Sequence, residues 1–434
     1  MEARWGSSLP WQSVLRLPRA WLVAAFVVCA LFAGGVSLFS GNPLHRLWGV
    51  AAASAYAVAA LVIMAWKSKA GLDVGLAAIV CGAILVPLVW MAWHGQGQPE
   101  VTVVARSAKT LIKHGTPYKS TTVLATTTDP NDYNPYLPLM AAFGVPQAVA
   151  GHNAFTDPRI WFGLVFFVVF AVALAVGGAK DWLRWAILMT ASPIIAFELA
   201  VGGTDVPMVA FMCLGFAFLW RSGGELAAGV ALGIASSMKA TAWPALAVAL
   251  ALLVVRDGKR AALRFVALAM AIVVVCVGPF AVTKPGALVK NTVLFPLGLA
   301  SVKSEAASPL PGHLLAQTGH LGHAVVVVLL IASGVAIAAS LVIRPPRDVP
   351  AAVWRLVLGL SLMFVLAPST RFGYFIYPGA LVMWLLVTRA SRHGDARSAP
   401  PPPIAVAAQG LRFQVRMILA PFDVPAREPG EVAG

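Results

Sequence analysis

Charge is what this sequence has least of. Asp, Glu, Lys and Arg make up 11% of its 434 residues, less than half of the roughly 25% usual in a soluble domain, and the mean hydropathy is +0.81. A soluble fold is therefore excluded. Acids are scarcer still, 17 against 32 Lys and Arg, for a net charge of +15. That excess suits a nucleic-acid partner in a polar chain, but in an apolar one basic cytoplasmic loops produce it, so no nucleic-acid partner is expected. Cysteine is rare as well. Cys29, Cys81, Cys213 and Cys276 all fall inside apolar runs without metal-ligand spacing, where a thiol acts as a small hydrophobe. Also missing are a Gly-rich phosphate loop, an Asp-x-Asp pair and any repeat of about 20–50 residues. Their absence argues against a nucleotide-sugar pocket and against repeat architectures.

What fills the chain instead is a series of apolar runs of roughly 17 to 22 residues, long enough to cross a ~30 Å hydrocarbon core at ~1.5 Å per residue. They predict an all-α integral membrane protein of about twelve transmembrane helices, near residues 20–39, 48–66, 73–92, 159–178, 185–201, 206–220, 225–238, 242–255, 265–283, 323–343, 352–367 and 372–388. The first run follows Arg16 and Arg19, but no clear small-residue cleavage site comes after it, so it reads as a retained helix. With both termini cytoplasmic, Lys67, Lys69, Lys180, Arg184, Arg221, Arg256, Lys259, Arg260, Arg264, Arg344 and Arg347 fall on the cytoplasmic side. Four segments follow: 1–72, a cytoplasmic start and two helices; 73–322, the main module; 323–388, the C-terminal helices; and 389–434, a disordered basic, Pro-rich cytoplasmic tail opened by Arg392, His393 and Arg397.

Two long loops, 93–158 and 284–322, interrupt the short connections, and both fall on the extracytoplasmic side. The first holds a helix-like basic stretch, Thr102 to His114, ended by Gly115, and then Tyr136 to Ala150, apolar but broken by Gly144 and Pro146. The second piece reads as re-entrant or interfacial, because a true span there would reverse the charge bias of every later loop. Seven acids sit at or near this outer face: Glu100, Asp129, Asp132, Asp157, Glu198, Asp205 and Glu305. A carboxylate at a membrane edge is costly and so a functional candidate. Glu198 and Asp205 flank the turn Val201-Gly202-Gly203-Thr204, and the structural reading makes Asp205, followed by Pro207, a helix start. For Glu100, in Gly97-Gln98-Pro99-Glu100, the structural alternative is an ordinary solvated loop acid. Among the cations, Lys239 interrupts an apolar stretch and either snorkels to headgroups or binds a phosphate. Arg371 precedes Tyr374 and Tyr377 and either anchors the interface or does the same. His313, in the second loop, is either solvated or a donor to phosphate or sugar.

The order of the first loop, an acid, a basic amphipathic helix, Gly115-Thr116-Pro117-Tyr118, then Asn134-Pro135-Tyr136-Leu137-Pro138-Leu139, resembles the GT-C superfamily of membrane glycosyltransferases, in particular the bacterial polyprenol-phosphate-mannose-dependent mannosyltransferases. Glu100, Gly115 with Tyr118, and Tyr136-Leu137-Pro138-Leu139 stand where that family has its acidic residue, its Gly-x-x-Tyr-like turn and its Tyr-Pro-Pro-Leu-like segment. The chain departs in having Glu for the usual Asp and three spans before it in place of one, so the likeness starts near residue 73. The resemblance implies an integral membrane glycosyltransferase moving a sugar, mannose first, from a polyprenyl-phosphate donor to an extracytoplasmic glycan or glycolipid acceptor with inversion. Glu100 becomes the general base, with Asp132, Asp129 and Asp205 in reserve, and Lys239, Arg371, His313 and Tyr136 bind substrate or phosphate. No cofactor is required, although Asp129 with Asp132 leaves a divalent metal open. Membrane lipids are the remaining partners. A transporter or flippase would keep its acids near the midplane on broken helices, often with internal repeats. A non-enzymatic envelope assembly factor would need no cleft uniting Glu100, Lys239 and Arg371.

Overall fold

The computed structural model describes residues 19–302 and 304–392; the expected cytoplasmic termini and the tail beyond residue 392 lie outside the described residues. Each stretch expected to be a span is helical. Helices α1 (Arg19–Phe39) and α2 (Pro43–Ala65) form a hairpin whose turn is set by Asn42, which accepts from the Leu44 amide at 2.9 Å, and by Pro43 at the first helical position. Helix α3 (Lys69–Trp93) carries one π-turn at Val80–Leu85. After it come α4 (Pro99–His114), α5 (Pro158–Gly177), α6 (Trp182–Thr190), α7 (Pro193–Val201), α8 (Val206–Leu219), α9 (Glu225–Met238) and α10 (Trp243–Arg256). The chain closes with α11 (Lys259–Thr283), α12 (His320–Ile343), α13 (Val349–Leu366), a 3₁₀ turn at Phe372–Phe375 and α14 (Ile376–Arg392).

Eight of these are long and apolar enough to cross a membrane: α1, α2, α3, α5, α11, α12, α13 and the run Phe372–Arg392. The pair α6 and α7, bent by 64°, makes a ninth if it counts as one span. The bend has a local cause: Pro193 pushes Ser192 into an extended conformation, ψ 145°, and ends α6. The expected count of about twelve also includes three shorter apolar helices. Helices α8, α9 and α10 have 14 residues each, about 21 Å of rise, which is less than a full hydrocarbon core.

Helix α8 is apolar on every side, so it belongs inside the bundle. Met208, Val209, Ala210, Met212, Cys213, Phe216, Ala217 and Leu219 are wholly inaccessible, and α5, α9 and α14 surround them. Helix α9 in turn meets α11 through small residues. A Cβ on Gly229 or Gly233 would lie 2.8 Å from Phe265 O or 2.9 Å from Ala269 O, so only glycine permits that approach. Helix α12 turns most of its apolar surface outward, as a lipid-facing helix does.

The two long loops meet at the same end of the bundle. In the first, Gly115 ends α4 in the left-handed region at φ +66°. The broken piece 138–150 packs on α4 and α9 with Met140 and Phe143 buried, and the Leu137 amide donates to Met238 O at 2.8 Å. Its 3₁₀ part, Pro138–Gly144, is thus largely covered by protein, while Val145–Ala150 ranges from half-buried to exposed. In the second loop, Asn291 is fully buried. Its Oδ1 accepts from the Asn134 amide at 2.7 Å and its Nδ2 donates to Ala287 O at 2.8 Å. Tyr133 stacks on Phe295 with centroids 4.6 Å apart. Further on, the second loop pairs with the junction before α14, Thr370 N donating to Ala306 O and Ser308 N to Thr370 O.

Candidate active site

Helix α4 is aimed by its first turn. The Gln98 amide donates to Val201 O at 2.9 Å, and Gln98 Nε2 meets His45 Nε2 of α2 at 2.7 Å, tying the start of α4 to the end of α7 and to α2. Glu100 follows in that first turn, where the helix dipole favours a carboxylate. Arg371, in extended backbone ahead of the 3₁₀ turn, donates from Nη1 to Glu100 Oε1 in a close ion pair. The other oxygen, Glu100 Oε2, is buried and has no hydrogen-bond partner among the described residues.

A second pair lies beside the first. The Gly202-Gly203-Thr204 turn delivers Asp205 to the start of α8, and Lys239 stands where α9 ends, its backbone extended at φ −159°. Lys239 Nζ donates to Asp205 Oδ1 at 2.7 Å, with side chains 12% and 9% exposed. The ammonium therefore points inward to a carboxylate, and its solvation comes from protein. It also lies over the Tyr374 ring at 4.9 Å and 5.5 Å from the Tyr136 ring, distances at which a ring face stabilises a cation. Tyr136 is held from both ends: its hydroxyl accepts from Thr204 Oγ1 at 3.0 Å, and its carbonyl accepts from the Tyr118 hydroxyl at 2.9 Å.

Glu198, in the last turn of α7, completes the group. It lies in the fields of Asp205, Glu100, Arg371 and Lys239. Gly373 packs so closely that any Cβ there would run into Glu198 Oε1. Of the expected site residues, the structure thus brings together Glu100, Arg371, Asp205, Lys239 and Tyr136.

The remaining candidates stand elsewhere. Asp132 is bound by Lys119, by Thr127 Oγ1 at 2.7 Å and by Arg106 at 3.7 Å. Burial pushes its carboxyl up, but the Lys119 and Thr127 hydrogen bonds and the Lys119 and Arg106 charges outweigh it and leave Asp132 below the usual carboxylate range. Asp129 caps its own turn, accepting from the Asn131 amide at 2.8 Å. His313 spends both ring nitrogens locally, Nδ1 on Pro368 O and Nε2 on Gln317, each at 2.8 Å, and so braces the connecting segment that carries Arg371. Asp157 caps α5 and holds Arg159 by two hydrogen bonds of 2.9 and 2.8 Å in a buried pair, and Arg159 reaches on to Ala200 O.

Two carboxylate–cation pairs flanked by tyrosines, at one end of a helical bundle, suit the handling of an anionic, hydroxyl-rich substrate. The comparison with family models decides the class: that of Glycosyltransferase family 87 matches residues 134–368, more than half of the chain. The chain belongs to glycosyltransferase family 87. This is a GT-C-type family of membrane glycosyltransferases, and the protein is accordingly a multi-pass membrane glycosyltransferase. No curated relative matches it closely enough to narrow the assignment. The family-87 match takes in Tyr136, Glu198, Asp205 and Lys239, while Glu100 lies before it and Arg371 just beyond it.

Sequence reasoning gave little weight to Glu198 and none to His45. Both were detectable in principle as polar side chains on otherwise apolar helices. What the sequence could not show was that α2, outside the resemblance, reaches the first turn of α4.

Proposed function

We propose that this family-87 enzyme transfers a sugar, mannose first among candidates, from a polyprenyl-phosphate donor to an extracytoplasmic glycan or glycolipid, with inversion at the anomeric carbon. The observation that carries the reading is the pairing of Glu100 with Arg371 and of Asp205 with Lys239 in one cluster. The two cations offer a phosphate what it needs, and Glu100 keeps one buried oxygen uncommitted. The acceptor oxygen attacks the anomeric carbon while its proton passes to Glu100. The anomeric C–O bond breaks with its electron pair going to the phosphate oxygen, whose charge Arg371 and Lys239 stabilise.

Donor phosphate arriving on Arg371 competes with Glu100 for that cation and frees the Glu100 carboxylate to face the acceptor hydroxyl. Tyr136 and Tyr374 line the same cluster and supply ring faces and hydroxyls against a sugar. Asp205 is the nearest reserve base, although its Oδ1 is engaged by Lys239 Nζ at 2.7 Å. Asp132, with both oxygens engaged on Lys119 and Thr127, is better suited to fixing the loop.

The test is transfer by the purified chain in liposomes, with polyprenyl-phosphate-mannose, polyprenyl-phosphate-glucose and a nucleotide-sugar compared as donors. The expected result is transfer from a polyprenyl-phosphate sugar only. Turnover with the nucleotide-sugar alone would refute the donor assignment.

A further inference from the structure

The cluster contains more acid than base. Glu100, Asp205 and Glu198 face Arg371 and Lys239, and each cation is already committed to one carboxylate. The Glu198 carboxyl has no ion pair and no hydrogen bond to any described residue, and Gly373 leaves it no room to move away on that side. With all three acids ionised the group carries one net negative charge. A phosphodiester donor adds another. Two uncompensated negative charges in a water-poor site repel each other strongly, and the least costly relief is to neutralise the acid that lacks a partner.

The other groups around α7 do not offer that relief. On α2, His45 is turned so that Nε2 accepts from Gln98 Nε2 and Nδ1 faces Ser40 Oγ at 3.1 Å, an arrangement of the neutral ring, and the Tyr56 hydroxyl donates to Ala191 O at 2.6 Å. Just past α3, His94 folds back on Trp90 O, and Cys81 on α3, Cys29 on α1 and Cys213 on α8 are free thiols. On α5, Arg159 is occupied by Asp157 and Ala200 O. On α6, Arg184 is bound to Asp73 at 2.7 Å. From the α14 side come Tyr374, under Lys239, and Tyr377, hydrogen-bonded to Thr241 at 2.6 Å. Asp205, at the head of α8, keeps Lys239.

We propose that Glu198 is the donor-linked proton site: it takes up one proton from solvent as the anionic donor enters and stays neutral throughout the donor complex. This rests on the phosphate-donor reading and adds a property to it. Neutral Glu198 can donate a hydrogen bond to a phosphate or sugar oxygen, which its ionised form cannot. The sign follows from linkage. The complex holds one more proton than the free protein, so affinity is greatest where Glu198 is already protonated and falls by about tenfold per pH unit where it is not.

The experiment is calorimetric titration of the full chain in detergent with a short-chain prenyl-phosphate-mannose, across pH and in two buffers of different ionisation heat. Above the pH at which Glu198 ionises in the free protein, the expected result is uptake approaching one proton per donor bound in the wild type, together with growth of the protonated-carboxyl stretch in the infrared difference spectrum; below that pH uptake falls away and affinity levels off. The infrared measurement needs no variant. In Glu198→Gln, affinity should persist, lose its pH dependence and show no proton uptake. Wild-type binding without proton uptake at any pH would overturn the proposal, as would uptake that survives in Glu198→Gln. Failure of the wild type to bind the prenyl-phosphate sugar at any pH would instead overturn the donor reading beneath it.

Discussion

At the scale of single residues, Glu100 is separated from a structural acid by a pair of substitutions. Glu100→Gln keeps the shape and can still meet Arg371 through its carbonyl, but it has lost the basicity. Donor binding should survive while transfer falls by about 10²–10⁴-fold, the usual worth of a general base. Glu100→Asp keeps the carboxylate one methylene back and should retain part of the activity. An acid present only to hold Arg371 predicts the reverse ranking, so steady-state transfer beside donor binding decides the matter. Lys239→Ala and Arg371→Ala each remove a charge-assisted contact of about 1.5–3 kcal/mol, and donor affinity should weaken from roughly ten- to over a hundred-fold. Unchanged affinity in both variants would return these side chains to a structural role. Both cations were legible in the sequence because each breaks an apolar stretch. Their carboxylate partners were not: Arg371 finds Glu100 across 271 positions and Lys239 finds Asp205 across 34, and no local pattern encodes a contact made by tertiary packing.

At the scale of elements, the first long loop is pinned by charge. Asp132 gathers Lys119, Arg106 and Thr127, and its carboxyl is held below the usual range. Because the folded value is lowered, its stabilising effect is fully present above the ordinary carboxylate pKa of about 3.9 and disappears as pH falls through the lowered folded value. Hydrogen exchange across residues 119–134 should accelerate on acidification in the wild type. In Asp132→Asn it should already be fast at neutral pH and change little on acidification. Equal protection in the two proteins would show that the loop is held by other contacts. The helix formed by residues 99–114 was legible almost to its ends, since an N-terminal Pro, amphipathic spacing and a closing Gly are all local signals. The bend between α6 and α7 was not marked as one, because Pro193 reads equally as a helix start, and the run around it is apolar enough to pass for one span.

At the scale of the whole molecule, we propose an extracytoplasmic orientation for the site on the distribution of basic residues. Single cysteines placed at His313 and at Lys259 should therefore differ: an impermeant thiol reagent added to intact cells should label position 313 and spare position 259. Labelling of 259 from outside would invert the proposed topology. Fold class was legible from composition because hydropathy reports the solvent directly. The number of crossings was less so, since α8, α9 and α10 are apolar for being buried in protein as much as for facing lipid. The brevity of α8 has a further consequence. Asp205 heads a helix of about 21 Å, shorter than a full hydrocarbon core, and we propose that the two long loops, joined through Asn134 and Asn291, roof the candidate reacting groups. A base that activates an alcohol will also activate water, so the roof decides between transfer and wasteful hydrolysis of the donor. Asn291→Ala removes the buried acceptor of the Asn134 amide at a cost of about 1–3 kcal/mol. It should raise the release of free sugar relative to transfer while leaving Glu100 in place, and an unchanged ratio of the two products would mean that the loops exclude nothing.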